Sequence, residues 1–212
     1  MPNLGKYIVI EGADGTGKTT QADLVQEYLE SLDIEVLHVK EPGGTPIAEA
    51  IRQVILDATL DRLPRTNMLL FTANRYELWH STIKPALERG AWVICTRNYW
   101  SSIAYQGYGE GLNIEDIKSI TRAIMEDAYL TPDIGILLSQ VNHGTRKQRI
   151  SKRPQAKKPD TFETRDGGFQ SRVEEGYTNI ATEFQIKTID ATRSPEDIQS
   201  DIRKIIDQSL NR

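Results

Sequence analysis

A chain of 212 residues, 38% apolar and 26% charged, has the length and balance of one globular domain, 1–212, and excludes fibrous or disordered classes. A net charge of −4 excludes duplex nucleic acid as the main partner, and apolar runs such as Ile136-Leu137-Leu138 are far too short for a helix that crosses a membrane. The single cysteine, Cys95, excludes an internal disulfide; with no signal peptide visible, the expected location is cytoplasmic.

Tyr7 to Ile10 is a short apolar run ending at a Gly-rich turn, the pattern of a strand buried on both faces. Helical spacing follows from Lys18 to Leu32, through Ala22, Val25, Leu29 and Leu32, and Glu35 to Val39 reads as the second strand. Thr45 and Pro46 open the next helix as N-cap and first residue, with Ile47, Ile51, Val54 and Ile55 expected to face the core. Pro64 to Arg89 is a long helical stretch with a bend expected near Pro85. Trp92–Cys95 is a third strand, Ile114–Tyr129 a helix, Ile134–Leu138 a fourth strand, Gly167–Phe184 a helix, Ile186–Ile189 a fifth strand and Pro195–Leu210 the closing helix. This alternation predicts an α/β fold: a five-stranded parallel sheet with helices on both faces, binding its ligands beyond the carboxyl ends of the strands. One segment breaks the pattern. Residues 145–158, TRKQRISKRPQAKK, are basic and poor in large apolar side chains. They read as a short helix running into a small, exposed and mobile lid, about 142–165.

Gly12-Ala13-Asp14-Gly15-Thr16-Gly17-Lys18-Thr19 matches G-x-x-x-x-G-K-[ST], between a strand and an amphipathic helix. Glycines let the backbone curl so that its N–H groups, with the positive end of the helix, face phosphate oxygens. Gly12, Asp14, Gly15, Thr16, Gly17, Lys18, Thr19 and Thr20 are therefore expected on the phosphates of ATP, with Lys18 reaching the β- and γ-phosphates and the Thr19 hydroxyl ligating Mg²⁺. No N-K-x-D motif is present, which argues against a GTPase. Phe71 and Arg75 stand at i and i+4, on one helix face, where a ring and a guanidinium can stack on and hydrogen-bond a base; read alone, they serve equally as a core ring and a surface charge. Arg97 just beyond the third strand, and Arg52 beside the apolar stripe of its helix, suit a phosphate through bidentate contacts or else pair with nearby carboxylates.

Glu41-Pro42-Gly43-Gly44-Thr45 after the second strand, Phe71-Thr72-Ala73-Asn74-Arg75, Arg97, and Ser101-Ser102-Ile103-Ala104-Tyr105-Gln106-Gly107 occur in this order over nearly the whole chain. With the Ile-Glu-Gly start of the phosphate loop, they make the sequence resemble the bacterial type of thymidylate kinase. The resemblance implies transfer of the γ-phosphoryl of ATP to dTMP, with Mg²⁺, by a homodimer. It implies that Phe71 stacks on thymine, Arg75 reaches a base oxygen, Ser102 and Gln106 adjoin the base, Tyr105 packs on the sugar, Arg52 and Arg97 hold the acceptor phosphate, and Asp14 contacts the 3′-hydroxyl. Glu41 belongs to the same acceptor region.

In some members the residue after that acid is arginine; here it is Gly15, so the missing charge is expected from the lid, which offers Arg146, Lys147, Arg149, Lys152 and Arg153. Arg149 and Arg153, at i and i+4, are the catalytic candidates there, beside Lys18 and Arg97. Two departures stand out. Thr96-Arg97-Asn98 lacks the aspartate the family usually has before its arginine, and Asp160-Thr161-Phe162-Glu163 replaces Asp-Arg-Ile-Glu at the end of the lid. Glu163 is thereby a candidate for the metal site with Thr19. These departures leave two alternatives to a dTMP kinase: a kinase of broader deoxynucleotide range, or a nucleotide-binding protein with weakened catalysis.

Overall fold

The computed structural model describes residues 4–139, 141–151, 161–162 and 165–210. Five strands, β1 (Tyr7–Glu11), β2 (Val36–Lys40), β3 (Trp92–Thr96), β4 (Ile134–Ser139) and β5 (Lys187–Asp190), form one parallel sheet in the order β2-β3-β1-β4-β5. Every residue of β1 and of β3 is buried, which is why their sequences are near-continuous apolar runs. Side chains alternate between the two faces. Tyr7, Val9, Val93, Cys95 and Leu137 pack on one side, under α3 (Pro64–Leu78), α6 (Ile114–Ile124) and α9 (Gly167–Glu183). Ile8, Ile10, Ile94, Ile136 and Leu138 pack on the other, against Ala22, Val25 and Leu29 of α1 (Lys18–Glu30) and Ile198, Ile202 and Ile206 of α10 (Pro195–Ser209).

The helix after β2, α2 (Pro46–Leu56), starts as its sequence implies: the Thr45 hydroxyl accepts from Ala48 N at 3.0 Å and Pro46 is the first residue. Its buried stripe differs from the expected one. Ile47 and Val54 are 58% and 41% exposed, Ile51 is half-buried, and Ala48 and Ile55 are buried. The helix packs mainly on α3, so a single neighbour covers a narrow strip rotated from the Ile47–Ile51–Val54 line.

The long stretch expected from Pro64 to Arg89 is α3, a π-helical turn at Trp79–Ile83, and α4 (Lys84–Glu88). Pro85 has no N–H for the carbonyl four residues back, and the widened turn, in which Lys84 N–H bonds to Trp79 O, absorbs the defect just before it. The helix expected at Ile114–Tyr129 is broken: α6 ends at Ile124, Met125 is extended and buried, and α7 (Asp127–Leu130) is a separate turn. Tyr129, at the heart of the aromatic cluster with Tyr7 and Trp79, takes its place through that break. A further segment, α5 (Tyr99–Ser102) continuing as a π-helical run Ile103–Gly109, has no counterpart in the sequence reading. In the basic segment, α8 (His143–Ser151) is the expected short helix; Lys152, Arg153, Asp160 and Glu163 lie outside the described residues. No helix among the described residues is long and apolar enough to cross a membrane.

Candidate active site

Beyond the carboxyl ends of β1, β2 and β3 lies a cavity of about 650 Å³. The phosphate loop forms its floor. Gly12, Gly15 and Gly17 have φ of 141°, 81° and 101°, values that favour glycine. At Gly15 a second constraint applies, because an added Cβ would lie 2.7 Å from the Arg146 carbonyl oxygen of α8. Lys18 Nζ folds back over the loop and donates to Gly12 O at 2.7 Å and Ala13 O at 2.9 Å. Thr19 and Thr20 line the cavity at the first turn of α1, and Thr16 is buried in the loop, its hydroxyl on Ala13 O.

Beside the loop stands a network built on Glu11, the last residue of β1, which the sequence reading left without a role. Its carboxylate is fully buried and accepts from Asn98 N (2.9 Å), Ser101 N (3.2 Å), Ser101 Oγ (2.9 Å) and Tyr177 OH (2.9 Å). Arg97, at a left-handed φ of 78°, donates from Nη1 to Ser101 Oγ and Tyr177 OH, and from Nη2 to Asp14 Oδ1 at 2.5 Å. Tyr105 OH donates to Asp14 Oδ2 at 3.0 Å. Burial acts to raise the Asp14 pKa, but the charges of Arg97 and Lys18 and the bonds from Tyr105 and Arg97 outweigh it and hold the carboxyl well below its usual range. Burial likewise opposes the charge on Arg97, and Asp14 foremost raises its pKa. Asp14 is therefore a fixed anion held by two of the expected acceptor residues.

The far wall is the predicted acceptor region. Glu41, Arg52, Phe71, Ser102, Tyr105 and Gln106 all line the cavity. Arg75 stands behind this wall, 1% exposed, donating to Ser102 Oγ at 2.7 Å and lying 3.6 Å from Glu41; among the described residues its Nε and Nη1 make no hydrogen bond. Burial pushes the Glu41 carboxyl up to about 7 against the opposing pull of Arg75 and of the Tyr129 hydroxyl, which donates at 2.9 Å. Arg52 donates to Pro42 O at 2.5 Å. Phe162 adds an aromatic surface with no sequence signal of its own: its ring is 5.8 Å from both Phe71 and Tyr105.

The opposite end of the cavity is lined by Gln21, Arg149, Ala191, Arg193, Pro195 and Ile198. Of the predicted lid cations, Arg149 faces this end and donates to Ala191 O at 3.3 Å. Arg146 is instead buried against the phosphate loop, paired with Glu174 and donating to Val141 O. Thr96 lines the cavity where the usual aspartate is missing. Among the described residues no three acidic, His or Cys side chains form a metal cluster. Thr19 as an oxygen donor fits Mg²⁺ that arrives on phosphates and keeps part of its water shell.

A family model described as thymidylate kinase matches residues 10–202 of the chain. The chain belongs to the thymidylate kinase family. It is 37% identical over 210 residues to the thymidylate kinase of Halalkalibacterium halodurans, covering 98% of each chain. It is 38% identical to that of Symbiobacterium thermophilum, covering 99% of this chain and 96% of the other. The crystal structure of thymidylate kinase from Ehrlichia chaffeensis superposes with a TM-score of 0.76 at 29% identity, over 96% of this chain and 98% of that one. The phosphate loop and the five-stranded parallel sheet have the P-loop kinase architecture of that relative. Thr96 lines the same cavity as Lys18, Arg97 and Tyr105.

Proposed function

We propose that this chain transfers the γ-phosphoryl of ATP to dTMP, yielding ADP and dTDP. The observation that carries this reading is one cavity shared by the phosphate loop and a pocket of Phe71, Tyr105, Ser102 and Gln106. An oxygen of the acceptor phosphate attacks the γ-phosphorus, the bond from that phosphorus to the β–γ bridging oxygen breaks, and ADP leaves with the electron pair. The acceptor phosphate is already anionic, so no general base is needed; placement and charge neutralisation carry the reaction. Gly12 to Thr20 hold the triphosphate, and Lys18 leaves its carbonyl partners for phosphate oxygens. Arg97 and Arg52 hold the acceptor phosphate, Phe71 meets the base, and the fixed Asp14 anion accepts from the 3′-hydroxyl. Thr19 would hold Mg²⁺ together with the phosphates, and the ion would supply neutralising charge there.

The pattern of exposed apolar side chains supports a homodimer: Ile47 and Val54 of α2 and Leu69 and Tyr76 of α3 are exposed on two helices that pack together. The cytoplasm suits both substrates. ADP release measured across dTMP, dUMP, dCMP, dGMP and dAMP tests the proposal: dTMP should give the highest kcat/KM. Equal rates for dGMP would replace it with a broader kinase, and ATP binding without turnover on any acceptor would end the enzyme reading.

A further inference from the structure

Lys40 ends β2, and strand register sets it opposite Thr96, which is opposite Ile10, two residues before Gly12. Neighbouring strands run about 4.8 Å apart, and paired residues of parallel strands point to the same face. For Lys40 and Thr96 this is the face of α1: His38, two residues earlier on β2, reaches Asp23 of that helix. Both Lys40 and Thr96 line the cavity beside Lys18 and Thr19. The other cavity-lining cations are engaged: Lys18 on loop carbonyls, Arg52 on Pro42 O, Arg97 on Asp14, Arg149 on Ala191 O and Arg193 on Asp201. Lys40 is exposed and lines the cavity and, among the described residues, makes no hydrogen bond or ion pair; after burial, its charge helps to lower the pKa of His38.

We infer that Lys40 is a further catalytic residue, an ammonium that contacts phosphate oxygens around the transferring group, and that Thr96 keeps it available. A carboxylate at position 96 would sit one strand spacing away and pair with it; a threonine hydroxyl carries no charge to do so. The inference rests on the kinase reading above. The role suits lysine, a compact charge on a flexible stem with three donors and no need to give up its proton. As the bond to the β–γ bridging oxygen breaks, negative charge spreads over the phosphoryl oxygens and the leaving ADP, where such a cation lowers the barrier.

The experiment is calorimetric binding of the bisubstrate P1-(5′-adenosyl)-P5-(5′-thymidyl) pentaphosphate in EDTA, beside steady-state kinetics with Mg²⁺. Lys40→Ala should bind the metal-free pentaphosphate at least tenfold more weakly and lose at least tenfold in kcat, with KM for dTMP within threefold. Lys40→Arg should stay within threefold in both measurements. Thr96→Val should bind like wild type, whereas Thr96→Asp should lose as much as Lys40→Ala. A Lys40→Ala protein that melts like wild type and stays within threefold in binding and kcat overturns the inference. If wild type turns over no dTMP, the kinase reading fails separately, and the binding arm still reports on Lys40.

Discussion

Asp14 and Arg97 meet at 2.5 Å, and each holds the other in its charged form. Truncating Arg97 would therefore remove the proposed acceptor-phosphate ligand and release the acid into a loop made for anions. Arg97→Ala should lower kcat/KM for dTMP at least tenfold, and an unchanged value would remove Arg97 from the site. Glu41 gives a second residue-scale prediction. Its folded pKa of about 7 lies above the ordinary 4.5, so the folded state takes up the proton more readily. Its contribution to stability is fully present below pH 4.5 and is lost as pH rises toward 7. Against Glu41→Gln, wild type should lose about 1–3 kcal/mol between pH 5 and pH 8 in urea unfolding. A difference constant with pH would mean that Glu41 stays ionised throughout. Most of these residues were legible because each sits in a motif with a chemical reason for its type. Glu11 was not: its role lies in bonds to Asn98, Ser101 and Tyr177, far away in sequence.

Gly15 belongs to the scale of elements, because it is both a missing charge and a space. Its φ of 81° and the Arg146 carbonyl 2.7 Å from any added Cβ let α8 press on the phosphate loop. Gly15→Ala must push that contact apart, and it should weaken ATP binding at least fivefold by calorimetry. Wild-type affinity in that variant would show that α8 is free to retreat. Loop, strands and main helices were readable from punctuation and periodicity. The two π-helical turns were not, since widening a turn by one residue leaves the apolar spacing almost unchanged. The second of them carries Tyr105 and Gln106 to the cavity.

The molecule as a whole presents Leu69 and Tyr76 of α3 at 51% and 47% exposure, and Ile47 and Val54 of the adjoining α2 are exposed as well. Under the homodimer proposal, a second copy would cover these side chains, which the chain's own core leaves exposed. Light scattering should find dimers for wild type and monomers for a Leu69→Glu, Tyr76→Glu variant; a monomeric wild type would end the proposal. The sequence alone determined the sheet class, the phosphate loop and the acceptor motifs, because these depend on local periodicity and on residue types set by chemistry. Only the tertiary structure decided which helix faces are covered, that Asp14 is held by Arg97, that Arg75 stands behind the wall, and that Lys40 lies beside Thr96. Those outcomes depend on which strands become neighbours and on what their packing buries, which no single segment encodes.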